Sequence, residues 1–314
     1  MITVIGEALV DLVGEGGTFQ AKPGGSPFNV AVGLARLDVP SALLARLSGD
    51  SFGAQLRRHL DDNDVSTQYA VSASEPTTLA FALLDEHGTA SYEFYATGTA
   101  DWQWTARELP DPLPAEVTAV HTGSLALALE PGASVLEEFL AREHKRGQVT
   151  ISLDPNIRPL LSPDRAATRE RVETQVTRAH LVKVSAEDLG WLYPGEAVDD
   201  VVRRWCTRGP ALVVVTLGAD GAFAVGPEQA RVDVGAPVVP VVDTVGAGDA
   251  FTAALLAGLH EHDLLTGLRR PRPEVISEGV LHEVLTRSAT AAALTCTRPG
   301  ADPPTTRELA EVIL

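Results

Sequence analysis

The stretch DTVGAGDAF, residues 243–251, places three small residues, Gly246, Ala247 and Gly248, directly before an acid, Asp249. An apolar run from Ala250 to Leu259 follows and reads as a helix. A glycine-rich turn at a helix start presents unpaired backbone N–H groups and the positive end of the helix dipole, which together attract anions. A resident anion would be repelled by Asp249. The two features agree if the anion is transient. The N–H groups of Gly246, Ala247 and Gly248 would then stabilise charge that develops on a phosphoryl group in transit. Asp249 would face the attacking hydroxyl and accept its proton. The plainer alternative is a capped helix in which Asp249 only favours the dipole.

Of two better-known anion loops, the P-loop is excluded and the dinucleotide-binding turn is a weak alternative. No GxxxxGK[ST] sequence occurs in the chain. GAGDAF carries Phe251 where a dinucleotide-binding turn has its third glycine, and it lies late in the chain.

The composition narrows the classes further. Of 314 residues 45% are hydrophobic, enough for a sizeable core. With 25 basic and 42 acidic residues the net charge is −17, which argues against non-specific nucleic-acid binding. An anionic small substrate stays open, because a site can be locally positive. Cys206 and Cys296 have no metal-ligand spacing and read as two buried thiols in a reducing compartment. The start, MITVIGEALVDLV, lacks a basic region and carries Glu7 and Asp11, unlike a signal peptide. No apolar run reaches membrane-spanning length. The expectation is a soluble cytoplasmic protein with neither nucleic acid nor membrane as partner. His260 and His262 form HxH without a third ligand nearby and read as a surface helix end.

Along the chain, ITVIGEALVDLV (2–13) reads as one buried first strand, and SPFNVAVGLARL (26–37) as a helix with Ser26 at its N-cap and Pro27 in its first turn. ALLARL (42–47) reads as a strand and FGAQLRRHLDDN (52–63) as a helix. TTLAFALLDEHGTASYEFY (77–95) reads as an antiparallel hairpin about an Asp85–Gly88 turn. Strand and helix alternation then resumes, which implies an α/β fold with a mostly parallel sheet and helices on both faces. The hairpin is the odd part and reads as a small β-lid, about 12–23 and 68–100, on a single domain 1–314.

DTVGAGDAF closely resembles the C-terminal signature of the ribokinase-type (PfkB) carbohydrate kinases, and GGSPFNVAVGLARL (24–37) resembles their N-terminal signature. The resemblance implies a ribokinase-like three-layer α/β/α domain with a small β-lid, ATP and Mg²⁺ as cofactors, and a sugar as acceptor. It implies that Asp11 and Asn29 bind sugar hydroxyls and that Gly24 and Gly25 let the backbone approach the sugar closely. In VTLGADGAF (215–223) Thr216, Gly218 and Gly221 match the nucleotide segment, as do Lys183 and Ser185 in VKVSAEDL (182–189). Where many members have Asn-x-x-Glu this chain has Ser185 and Asp188. The acid that organises Mg²⁺ through water is therefore Asp188 or the neighbouring Glu187. LDPNIRPLL (153–161) matches the DxNxR segment of the fructokinase and ketodeoxygluconate kinase branches, which sets Arg158 near the transferred phosphate. Members often bind K⁺ through backbone carbonyls beside the anion hole, where Asp243 and Val245 stand here.

YEFYATGTADW (92–102) and HTGSLAL (121–127) resemble bacterial fructokinases, with Phe94 or Tyr95 covering the sugar. Ketodeoxygluconate kinases commonly carry an Arg where this chain has Ala96, so D-fructose is favoured over 2-keto-3-deoxygluconate. Other sugars, nucleosides and a catalytically silent sugar sensor are the remaining alternatives. The lid would leave an apolar face, covered by closure over sugar or by a second lid in a homodimer.

Overall fold

The apolar runs of the chain are distributed over two sheets and a short two-stranded ladder. Residues 1–15, 18–84, 90–270, 272, 273 and 275–313 of a computed structural model are described. The strands are β1 (Ile2–Ile5), β2 (Leu9–Glu15), β3 (Thr18–Gly24), β4 (Ser41–Leu44), β5 (Arg46–Ser48), β6 (Val71–Ala73), β7 (Leu79–Leu84) and β8 (Ala90–Tyr95), then β9 (Ala119–Gly123), β10 (Thr150–Asp154), β11 (Leu181–Ser185), β12 (Leu212–Thr216), β13 (Ala222–Val225) and β14 (Val232–Val234). The α-helices are α1 (Ser26–Arg36), α2 (Ser51–Asp62), α3 (Gly132–Arg146), α4 (Arg165–Val176), α5 (Ala186–Leu192), α6 (Val198–Cys206), α7 (Ala247–Glu261), α8 (Leu265–Leu268), α9 (Glu278–Cys296) and α10 (Thr306–Ile313).

The larger sheet has the order β14-β13-β12-β11-β10-β9-β1-β4. From β4 to β12 every neighbouring pair is parallel, and β13 and β14 add an antiparallel edge. Its parallel strands are buried along nearly their whole length because both faces are covered. Successive residues serve different cores. Ile2, Val4, Leu43, Leu181 and Val214 pack with side chains of α1, α7 and α9. Ile5, Leu44, Val182, Val184, Val213 and Val215 pack with Leu136, Phe139, Val172, Leu189 and Trp205 from α3 to α6. The three-layer α/β/α arrangement expected from the alternation is the one observed.

The first apolar run is not one strand. ITVI belongs to the large sheet, and LVDLVGE to a second sheet of order β3-β2-β7-β8. The crossing is made at Gly6, whose φ is +154° and where a Cβ would come within 2.4 Å of Pro27 Cγ. Likewise 42–47 divides between β4 and β5. In the small sheet β2 and β7 are parallel, while β3 on β2 and β8 on β7 are antiparallel. The expected hairpin is thus present as β7 and β8, and its Asp85–Gly88 turn lies outside the described residues. β6, inside the stretch 68–100, pairs with β5 instead.

Period-two alternation gives the small sheet two faces. Leu9, Asp11, Val13, Lys22, Ala80 and Phe94 look onto a cavity against the large sheet. Phe19, Phe81 and Tyr95 form an aromatic row on the other face, with ring centroids 5.4 and 5.1 Å apart, and Phe19 and Tyr95 are exposed. Cys206 is buried, whereas Cys296 is only partly so, which corrects the expectation of two buried thiols. No helix among the described residues is long and apolar enough to cross a membrane.

Candidate active site

β1 continues to β4 on one side, and the chain later returns as β9 on the other, so the sheet has a switch point at β1. Ligands of open α/β sheets bind outside the carboxyl ends of the strands at such a point. A cavity of about 480 Å³ lies there, walled by residues that follow β1, β9 and β10, by Lys183 of β11, by the N-terminus of α7, and by the inner face of the small sheet.

Asp249 is in the first turn of α7 and lines this cavity, although only 9% of its surface is exposed. Its Oδ1 accepts a hydrogen bond from Ser26 Oγ at 2.6 Å and its Oδ2 accepts one from Asn29 Nδ2 at 2.8 Å. Burial raises its pKa above the ordinary carboxylate range, against the lowering effect of these two donors and of Lys183. Ser26 is therefore not the helix cap expected from Ser-Pro. Gly25 holds the cap position of α1, and Ser26 and Asn29, three residues apart on one helical face, both turn to Asp249.

Gly246 caps α7 in the left-handed conformation, φ +79°. Gly246 and Gly248 line the cavity; Ala247 does not, and its N–H donates to the Thr244 carbonyl at 3.3 Å. Among the described residues the N–H groups of Gly248 and Asp249 have no hydrogen-bond acceptor. The Gly246 N–H likewise has no acceptor among the described residues, so Asp249 takes the place of Ala247 in the expected trio.

Lys183 lines the same cavity, and its Nζ is 3.2 Å from where a Cβ on Gly248 would stand. It is paired at 2.8 Å with Asp154 Oδ2, at the end of β10, and both side chains are buried. Burial opposes the ammonium charge, but Asp154 more than offsets it and holds the Lys183 pKa above its usual value. Asp154 was not singled out from the sequence. Its other oxygen, Oδ1, is buried without a partner among the described residues.

Asp11, Gly25, Asn29 and Phe94 all line the cavity as the sequence suggested; Tyr95, on the outer face of the small sheet, does not. Gly24 has a different reason from the one expected. A Cβ there would lie 2.2 Å from Asp11 Oδ2, so the missing side chain makes room for that carboxylate. Gly25, φ +103°, has the Glu7 carbonyl 2.8 Å from its would-be Cβ. Burial and the nearby Asp249 raise the Asp11 pKa to about 6, with Arg158 and Lys22 pulling the other way. Arg158 reaches the cavity from an exposed loop and donates to Asn156 Oδ1 at 2.7 Å.

Asp188 turns inward: its Oδ1 accepts from the Ile157 N–H at 3.1 Å, and burial together with Asp154 raises its pKa to about 6. Glu187 is exposed. Ser185 Oγ is committed to capping α5, accepting from the Asp188 N–H at 3.0 Å. Thr216 stands beside it in register at the end of β12. Gly218 and Gly221, φ +62° and +100°, form the turn into β13. None of these four lines the cavity; they continue the row of strand ends away from it. Asp243 ties two loops together, accepting from the N–H groups of Val245 at 3.0 Å and Gly300 at 2.7 Å.

Two further buried acids stand at the root of the small sheet. Glu7 Oε2 accepts from the Ala126 N–H at 3.1 Å, and Asp101 Oδ1 from the Ala8 N–H at 2.8 Å. Burial pushes both carboxyls up to about 7. In the unfolded chain such groups titrate near pH 4–4.5. Between there and pH 7 the folded protein holds the extra protons, so stability is highest below this window and falls as pH rises through it. Glu7→Gln, neutral throughout, is expected to flatten that fall, with a melting-temperature gain that grows from about pH 5 to about pH 8. Parallel melting curves for the variant and parent across this range would show that Glu7 is not the source.

A buried acid beside free N–H groups at a helix head, in a cavity at the switch point of a mostly parallel sheet, defines a phosphotransferase-type site. A family model described as pfkB family carbohydrate kinase matches residues 1–307, and the chain belongs to that family. It is 38% identical over 272 residues to a fructokinase of Rhizobium leguminosarum bv. trifolii, covering 85% of this chain and 82% of that protein. The structure of fructokinase with bound ATP from Xylella fastidiosa superimposes with a TM-score of 0.88 at 27% identity, over 99% of this chain and 98% of that one. A fructokinase from Vibrio cholerae O395 in a fructose-, ADP- and calcium-bound form gives 0.82 at 29% identity, over 99% and 97%.

Proposed function

We propose that the protein phosphorylates the 6-hydroxyl of D-fructose with ATP as donor. The observation that carries this reading is Asp249, held by Ser26 and Asn29 with its carboxylate in the cavity, next to N–H groups that have no acceptor. Fructose would lie between Asp11, Asn29 and the Gly25 backbone, under Phe94. ATP, when bound, supplies the phosphoryl group, and Mg²⁺ neutralises part of its charge. Asp249 takes the proton of the attacking hydroxyl, and its raised pKa makes it a better acceptor than an ordinary carboxylate. The Gly248 and Asp249 N–H groups and the Lys183 ammonium face the charge that develops on the phosphoryl oxygens. Asp188, with the unpartnered oxygen of Asp154 nearby, fits a hydrated divalent ion better than the exposed Glu187 does.

The second reading is a keto-sugar acid kinase. Lys22 and Arg158 beside Asp11 are the cations that favour it. An ADP-release assay with fructose, 2-keto-3-deoxygluconate and a nucleoside separates these readings. The expected result is the highest kcat/KM for fructose. A higher value for the acid would overturn the proposed substrate while leaving the site intact.

A further inference from the structure

Lys22 has no part in the fructose kinase reading of the site as assembled so far. It stands on β3, opposite Asp11 in register, on the face of the small sheet that closes the cavity. Its side chain crosses the cavity mouth: Nζ and Cδ each lie 3.4 Å from where a Cβ on Gly300 would stand. The turn containing Gly300 and Ala301 packs directly on Gly246, since a Cβ there would meet Ala301 Cβ at 2.5 Å. The ammonium therefore ends beside the turn that packs on Gly246, the cap residue of α7.

Three cations line this cavity. Lys183 is held by Asp154, and Arg158 by Asn156. The three N–H donors of Lys22 make no hydrogen bond or ion pair among the described residues, although its charge is felt by the Asp11 carboxylate. A half-buried ammonium without a partner fits a ligand that brings negative charge. A neutral sugar brings none, and the group that does is the one being transferred.

We propose that Lys22 is a catalytic residue that binds the phosphoryl group as it arrives on the sugar and stays on the phosphate of the product. The inference rests on the kinase reading of the site. In the step it serves, a bond forms between the sugar oxygen and phosphorus. The bond from phosphorus to the bridging oxygen breaks, and its electron pair leaves with the nucleoside diphosphate. The hydroxyl proton goes to Asp249, while Lys22 keeps its own protons and donates hydrogen bonds only. Because Lys22 rides on the small sheet and the N–H cluster on α7, the travelling phosphate is the one ligand that both can hold.

Lys22→Met keeps the length of the stem and removes the charge; Lys22→Gln is the second variant if the first melts early. The sugar is the one that the parent enzyme turns over best. Charge-assisted hydrogen bonds of this kind are worth about 10- to 100-fold. The expected result is a fall of that size in kcat and in calorimetric affinity for the sugar phosphate, with affinity for the neutral sugar within about threefold. Equal losses for sugar and sugar phosphate would assign Lys22 to sugar binding or to lid structure and overturn the proposal. So would unchanged sugar-phosphate affinity, or a selective loss for a sugar carboxylate. A parent enzyme that turns over no sugar would instead remove the kinase reading itself.

Discussion

Replacing Asp249 with asparagine is expected to lower kcat by about 10²–10⁴, the usual worth of a general base, or roughly 3–5 kcal/mol of barrier. KM for the nucleotide should stay within a few-fold, because the segments around Thr216 and Gly218 lie away from the cavity that holds Asp249. The fold should tolerate the change. The asparagine oxygen still accepts from Ser26, and turning the Asn29 amide over restores a donor–acceptor pair on the other side. Burial raises the Asp249 pKa, so a neutral group there removes a desolvation cost. The melting temperature at neutral pH should hold or rise. A carboxylate that merely favoured the helix dipole would give the opposite pattern, with kcat kept and about 0.3–1 kcal/mol of stability lost. Measuring both on one preparation separates the two, and a kcat within about threefold of the parent would remove Asp249 as the base.

Why Asp249 was legible in the sequence, and Ser26 was not, is a matter of range. DTVGAGDAF is a local arrangement: turn, N–H groups and acid lie within nine residues of one helix start. Ser26 meets Asp249 across 223 residues of chain, and in its own neighbourhood the dipeptide Ser-Pro reads as an ordinary cap. Asp154 was passed over similarly, because its partner Lys183 lies 29 residues away on the next strand and the pairing appears only once β10 and β11 are side by side. The parallel sheet was legible because mostly apolar strands alternate with helices along the chain. The division between β1 and β2 was hidden because only the short step Gly6–Glu7–Ala8 separates two apolar runs.

Other points turned on register, which a single sequence does not contain. Phe94 and Tyr95 are adjacent, so one must face the cavity and the other away, but which is which depends on how β8 pairs with β7. Glu187 and Asp188 posed the same question in the first turn of a helix, and the Ser185 cap settles it by fixing the turn. The aromatic side of the small sheet shows the same logic. Phe19 and Tyr95 are exposed because the register that gives Lys22 and Phe94 to the cavity turns them outward.

Lys183→Met is expected to cost both stability and rate, and for separate reasons. The side chains of Lys183 and Asp154 are only 6% and 3% exposed, and among the described residues the 2.8 Å contact is the only hydrogen bond that either charged group makes. Removing the ammonium leaves a buried, unpaired carboxylate, a loss of about 3–5 kcal/mol. For a chain of this length that corresponds to a fall of roughly 5–8 °C in melting temperature. Removing both charges should recover most of it, because an apolar pair of similar volume is often as stable as a buried ion pair. Lys183→Met with Asp154→Leu should therefore melt close to the parent. Its rate should stay low all the same, since the ammonium beside Gly248 is still missing from the face that meets the developing phosphoryl charge and the Asp154 oxygen near Asp188 is lost as well. Recovery of stability in the double variant assigns Lys183 its structural task; because that variant also lacks Asp154, the catalytic task is assigned by a kcat of Lys183→Met that stays low at temperatures where it is fully folded. A double variant as unstable as Lys183→Met alone would trace the damage to lost packing of the lysine stem, and one that regained kcat would take Lys183 out of the chemistry.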